Sequence, residues 1–108
     1  MKQKLSNKIK NTVNLSEEEI NEGNKLISDF MCEKFKDNNS GIWDWMMPVI
    51  EKIETLKFDV NIVLNHCSIK EYQCSFWRAQ CTGESKFDGT YKSVIQFIKW
   101  YNEQLYLK

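Results

Sequence analysis

Phe58-Asp59-Val60-Asn61-Ile62-Val63-Leu64 is the stretch that decides the fold class. Phe58, Val60, Ile62 and Leu64 alternate with Asp59, Asn61 and Val63, a period of two that turns one face of a strand onto a core. Asn65-His66 reads as a turn or bulge. Cys67, Ile69 and Glu71-Tyr72 read as a second strand. In a third, Cys74, Phe76 and Arg78 alternate with Ser75, Trp77 and Ala79. The connections are short, which implies an antiparallel meander. Cys81-Thr82-Gly83-Glu84 then reads as a turn.

Outward from this block the period is helical. Ser16-Glu17-Glu18-Glu19 is a capping box, in which Ser16 accepts from the third helical N–H and Glu19 reaches back. Three acids also suit the positive end of a helix dipole. Ile20, Leu26, Ile27, Phe30, Met31 and Phe35 keep helical spacing, so a first helix is predicted over 17–35. Gly23 inside it is a weak point for the helix and a place where another element can approach closely. Lys36 to Gly41 is a loop by composition. A second helix is predicted from Asp44 as N-cap, with Pro48 in its opening turn. Met46, Val49, Ile50 and Ile53 form its buried face, and Glu51, Lys52 and Glu54 its wet face. Ser85 and Asp88 suggest a further capping box opening a last helix over 86–104. Its stripe is Tyr91, Val94, Ile95, Ile98 and Tyr101, widened by Phe97 and Trp100. The expected fold is a single α+β domain of order ααβββα, its small antiparallel sheet covered by helices.

The chain has 108 residues, 42% of them hydrophobic and 13% aromatic, which suits one core without staples. Residues 1–14 hold Lys2, Lys4, Lys8 and Lys10 among polar neighbours and read as a flexible basic tail, leaving 15–108 as the domain. Formal net charge is zero, from 15 basic and 15 acidic side chains, which argues against a general polyanion binder. No apolar run approaches the roughly 20 residues that span a bilayer. The N-terminus has no apolar segment of the secretory kind. The expectation is a protein of the cytoplasm of whatever cell makes it, with no membrane partner and reduced thiols.

The residues with chemical potential are sparse. Cys67, Cys74 and Cys81 recur every seven residues with His66 beside the first. Zinc sites draw two ligands from a tight C-x₂₋₄-C knuckle, and this spacing lacks one. The thiols read as structural, and no metal or cofactor is expected. Adjacent strand residues such as His66 and Cys67 point to opposite faces, so they make a poor nucleophile pair. Cys74 is the alternative partner for His66 across a hairpin. The acids at Glu17 to Glu19, and at Glu51 and Glu54, lie at a helix start and on a wet face. The four glycines are scattered, so there is no phosphate loop. These residues favour a non-enzymatic protein. Of the four tryptophans, Trp45 and Trp100 read as core. Trp43, at the mouth of the loop, and the Trp77-Arg78 pair read as partner-binding residues.

Two aromatic blocks and one helical segment carry a resemblance. Glu22 to Ile27 with Phe30-Met31, then Trp43-Asp44-Trp45-Met46-Met47-Pro48 through Ile53, then Phe97-Ile98-Lys99-Trp100-Tyr101-Asn102, resemble small uncharacterised proteins of Bacteroidetes phages and prophages. Those proteins are similar to the phage α-β-α sandwich domain group. The resemblance covers residues 17–104, and residues 57–84 match only in outline. It implies a helix–sheet–helix architecture and a phage origin, with no catalytic residues. The expected function is that of an accessory protein binding a host protein, a CRISPR effector or another defence component, in the manner of small anti-CRISPR inhibitors. The alternative is a nucleic-acid accessory factor using Lys2, Lys4, Lys8 and Lys10 with exposed tryptophans.

Overall fold

The computed structural model describes residues 3–73 and 76–106. Its order is αααβββα: α1 Leu5–Thr12, α2 Glu17–Met31, α3 Ile42–Thr55, β1 Phe58–Val63, β2 His66–Glu71, β3 Trp77–Thr82 and α4 Lys86–Tyr106. The strands form one antiparallel sheet in the order β1-β2-β3. The α+β class and the meander are as expected from the sequence. One helix more is present.

That helix replaces the expected basic tail. Leu5, Ile9 and Val13 are buried in the common core, at most 3% exposed. Leu5 and Ile9, spaced by four, share one face of α1, which packs on α2 and α3, and Val13 follows as its C-cap. The cap that α1 lacks in its own sequence comes from the loop before α3. Asp37 accepts from the Ser6 N–H at 2.9 Å and the Ser6 hydroxyl at 2.7 Å, and the Leu5 N–H donates to the Asn38 carbonyl at 2.7 Å. These bonds satisfy the orphan donors of the helix start and place a carboxylate at its positive end.

The α2 capping box forms with both bonds, Glu19 N–H to Ser16 Oγ and Ser16 N–H to Glu19 Oε1, each 3.2 Å. The helix stops at Met31, short of the expected 35. Cys32 adopts the left-handed conformation at φ 58°, and its N–H turns back to the last carbonyls. Gly23 is the point of closest approach between α2 and α4. A Cβ there would collide with the Tyr91 hydroxyl, which donates to the Ile20 carbonyl (3.0 Å) and Asn24 Oδ1 (2.8 Å).

Gly41, and not Asp44, is the N-cap of α3, and Asp44 sits in the first turn. Pro48 therefore falls inside the helix and not in its opening turn. Its missing N–H leaves the Asp44 carbonyl without the usual i−4 partner. Met46, Val49, Ile50 and Ile53 are buried as expected. The Lys52 ammonium bonds the Phe30 carbonyl in the last turn of α2 and sits 4.7 Å over the Phe30 ring.

Each β1 residue from Phe58 to Val63 has its partner in β2. The expected strand ran one residue too far. Leu64, 79% exposed, lies in the turn at φ 54°. His66 was expected in a turn or bulge and instead opens β2. Cys81 and Thr82, expected in a turn, close β3 by pairing with Cys67 and His66. Cys74 and Ser75, expected in the third strand, lie outside the described residues. A leucine with positive φ is disfavoured where glycine is not. Leu64→Gly is expected to stabilise the domain by up to about 1 kcal/mol, read as a higher urea midpoint. A lower midpoint would mean that the exposed side chain contributes packing.

Phe58, Cys67, Ile69 and Ala79 are buried against α3 and α4. Asp59, Asn61, Val63, Gln80 and Thr82 alternate with the core-facing set and are exposed. Among the described residues no helix lies over that face. The described helices pack on the other face, which differs from the helix–sheet–helix layering that the resemblance implies.

Candidate partner-binding surface

The tryptophans divide by the ends of α4. Trp43 packs edge-on against Phe87 in its first turn, with centroids 5.3 Å apart, and is half-buried. It is not an open ring at the loop mouth, because α3 begins at Ile42 and brings it onto α4. Trp45 packs between Phe35 (5.8 Å) and Tyr91 (6.3 Å). Trp100 packs on Phe58 (5.8 Å) and Phe97 (5.9 Å). Both join the core, as the sequence suggested.

Trp77 is different. It opens β3 opposite Lys70, is 41% exposed, and holds the Lys70 ammonium 5.2 Å from its ring centroid. Phe76 beside it is 72% exposed, and Tyr72, where the chain leaves β2, is 47% exposed. Three large exposed rings thus lie toward the same end of the β2–β3 hairpin.

Arg78 is the residue that the sheet bulge sets out of register, between the Lys70–Trp77 and Ile69–Ala79 pairs. Its guanidinium lies 5.0 Å over the Trp100 ring and 3.7 Å from Glu71, and its Nε is buried without a partner. It braces the hairpin against α4 and does not reach out beside Trp77. Trp43 and Arg78 contact residues about 20 Å apart along α4, at 1.5 Å rise per residue, so the three expected partner-binding residues do not share one surface.

The lysine arm of the alternative reading is also dispersed. Lys8 donates to the carbonyls of Asn39 and Ser40, each at 3.0 Å, and Lys10 pairs with Glu17 at 2.8 Å. Lys4 precedes α1 and Lys2 lies outside the described residues. The helix carrying them packs on α2 and α3, away from the sheet.

Cys67 is wholly buried and Cys81 partly so, and they face each other across β2 and β3 as free thiols. Burial pushes both thiols up, the wrong direction for a nucleophile. His66 lies on the other face, where Nδ1 is 2.7 Å from the Thr82 hydroxyl. Cys74, its alternative partner, lies outside the described residues. Among the described residues no three His, Cys, Asp or Glu side chains come together as a metal site. No described helix is long and apolar enough to cross a membrane.

The best-built polar cluster is structural. Asp88, fully buried, accepts from the Glu84 N–H (2.8 Å), the Asn14 N–H (3.0 Å) and the Lys92 ammonium (3.2 Å). Its own N–H donates to Ser85 Oγ (3.1 Å), so half of the expected capping box forms. The carboxylate ties the α1–α2 link to the turn before α4. No family model, curated protein or solved structure matches the chain.

Proposed function

We propose that this protein is a non-enzymatic binding module that docks on another protein through the aromatic end of the β2–β3 hairpin. The carrying observation is the joint exposure of Tyr72, Phe76 and Trp77 in a chain that packs most of its other rings into the core. Exposed aromatic side chains beside a cation are the residue types that dominate protein interfaces, because they bury large area with few rotatable bonds. The phage resemblance makes the partner a host protein, a CRISPR effector or another defence nuclease. Neutral net charge suits protein recognition better than a general polyanion role.

The test is affinity capture from host lysate, with plaque assays on a defended strain, for the parent and for the double variant Phe76→Ala, Trp77→Ala. The expected result is capture of a defence component and protection of phage. The double variant should fold normally and bind at least about 30-fold more weakly, the loss typical of one hot spot. Undiminished binding by the variant would move the interface elsewhere. No defence component and no protection would remove the host-defence reading.

The pairing of Lys70 with Trp77 favours one second reading, base stacking on single-stranded nucleic acid. That binding would weaken steeply with salt and be lost in the same double variant, without involving Lys4, Lys8 or Lys10.

A further inference from the structure

The two edges of the sheet are built differently. On the β3 edge, the Gln80 N–H turns away from β2 and donates to Gln96 Oε1 of α4 at 2.8 Å. A register break at Ile69/Lys70 further disrupts that edge. Such devices keep an edge from pairing with another strand. The β1 edge has none of them. It is six residues long, in unbroken register, with no proline, glycine or lysine.

The hydrogen-bond phase says which β1 groups are free. Because Gln80 points away from β2, its partner Ser68 points toward β1, where it faces Asn61. By alternation Asp59 and Val63 also bond β2, and the Tyr72 N–H to Lys57 carbonyl bond (3.1 Å) follows the same phase. Phe58, Val60 and Ile62 therefore turn their amides and carbonyls outward. Among the described residues nothing from another element bonds those of Val60 or Ile62. Both side chains are only half-buried, so the edge is reachable.

We propose that the β1 edge accepts an extended, cation-bearing peptide segment of a partner protein as a fourth strand. A lone strand fits better than a second copy. In β1 and α3 only Leu56-Lys57 separates strand from helix, and α3 packs on β1. Antiparallel β1–β1 pairing would set two α3 helices on one face about 5 Å apart, one strand spacing, where helices need 8–10 Å. The one charged side chain of the strand itself is acidic: Asp59, exposed on β1. Its cross-strand partner is Lys70, whose ammonium is drawn over Trp77, and Lys57 is exposed just before the strand. A lysine or arginine across from Asp59 makes a favourable cross-strand pair. Backbone bonds supply affinity in this mode and alternate side chains supply selectivity. The inference goes beyond the aromatic-end reading, since it uses the opposite edge of the sheet.

The probe is a capped ten-residue peptide of alternating valine and lysine, titrated into the full chain and followed by amide NMR and hydrogen exchange. Val60 and Ile62 amides are expected to shift and gain protection. A peptide N-methylated at the bonding amides should bind at least about tenfold more weakly. Asp59→Lys should weaken the lysine peptide by up to about fivefold and favour a valine–glutamate peptide. Phe76→Ala, which leaves Trp77 over Lys70, should leave this binding unchanged, which separates its failure from failure of the aromatic-end reading. The proposal is overturned by no binding at millimolar peptide, by equal binding of the N-methylated peptide, or by protection on β3. It is also overturned if the free protein sediments as a dimer with Val60 and Ile62 already protected.

Discussion

Asp88→Ala is expected to destabilise the domain by about 3–5 kcal/mol, the range for removing one partner of a buried charged network. The carboxylate is wholly buried and accepts from Glu84 and Lys92, each four residues away, and from Asn14, 74 residues away. Alanine leaves the Asn14 and Glu84 N–H groups without acceptors and the Lys92 ammonium without its counter-charge. These part-buried donors cost up to about 1–3 kcal/mol each when unmet. Asp88→Asn keeps one acceptor and should lose less. Urea unfolding followed by circular dichroism measures both. A loss below about 1 kcal/mol for alanine would mean that water takes over the carboxylate's bonds. The pH dependence follows from the same contacts. Burial alone would raise the Asp88 pKa, but the two backbone donors and Lys92 outweigh it and hold it below the usual carboxylate value. The unfolded chain then binds this proton more readily than the folded one. The contribution is complete above the unfolded pKa of about 3.9 and lost as pH falls through the folded value. In Asp88→Asn this part of the acid sensitivity should vanish.

Phe97→Ala is the other large loss expected, also about 3–5 kcal/mol. Phe97 is fully buried, with ring centroids of Phe58 at 4.8 Å, Tyr101 at 5.8 Å, Trp100 at 5.9 Å and Phe30 at 6.3 Å. It joins α2, β1 and α4 at one point. Truncation removes its apolar burial and leaves a cavity that two helices and a sheet cannot close together. Phe97→Leu fills most of that space and should cost under about 1.5 kcal/mol. Near-ultraviolet dichroism and tryptophan fluorescence report on Trp100 directly. A small loss for alanine, with an unchanged aromatic signal, would show that the rings repack around the gap.

Local patterns were readable wherever the interactions are local. The Ser16–Glu19 box, the Met46-Val49-Ile50-Ile53 face and the alternation from Phe58 to Val63 each satisfy themselves within a few residues. Errors arose where a distant group supplies the missing partner. The first helix carries sparse apolar residues and no cap of its own, so residues 1–14 read as a tail. Its cap, Asp37, lies 31 residues away. The ends of α2 and β1 were misjudged for a different reason. Cys32 and Leu64 adopt positive φ without being glycine, and no turn signal marks either position.

The candidate surface divides in the same way. Trp77 is open because it sits at a hairpin end on the sheet face away from the described helices. Trp43 and Arg78 have the same composition signal, but each is half-buried, Trp43 against Phe87 and Arg78 over Trp100. By itself the sequence determined the α+β class, the meander and most of the core, because periodicity and caps are short-range physics. The place of the N-terminal segment in the core, the single sheet face on which the described helices pack, and the exposure of Trp77 come from tertiary contacts. Those outcomes depend on contacts between residues far apart in the chain.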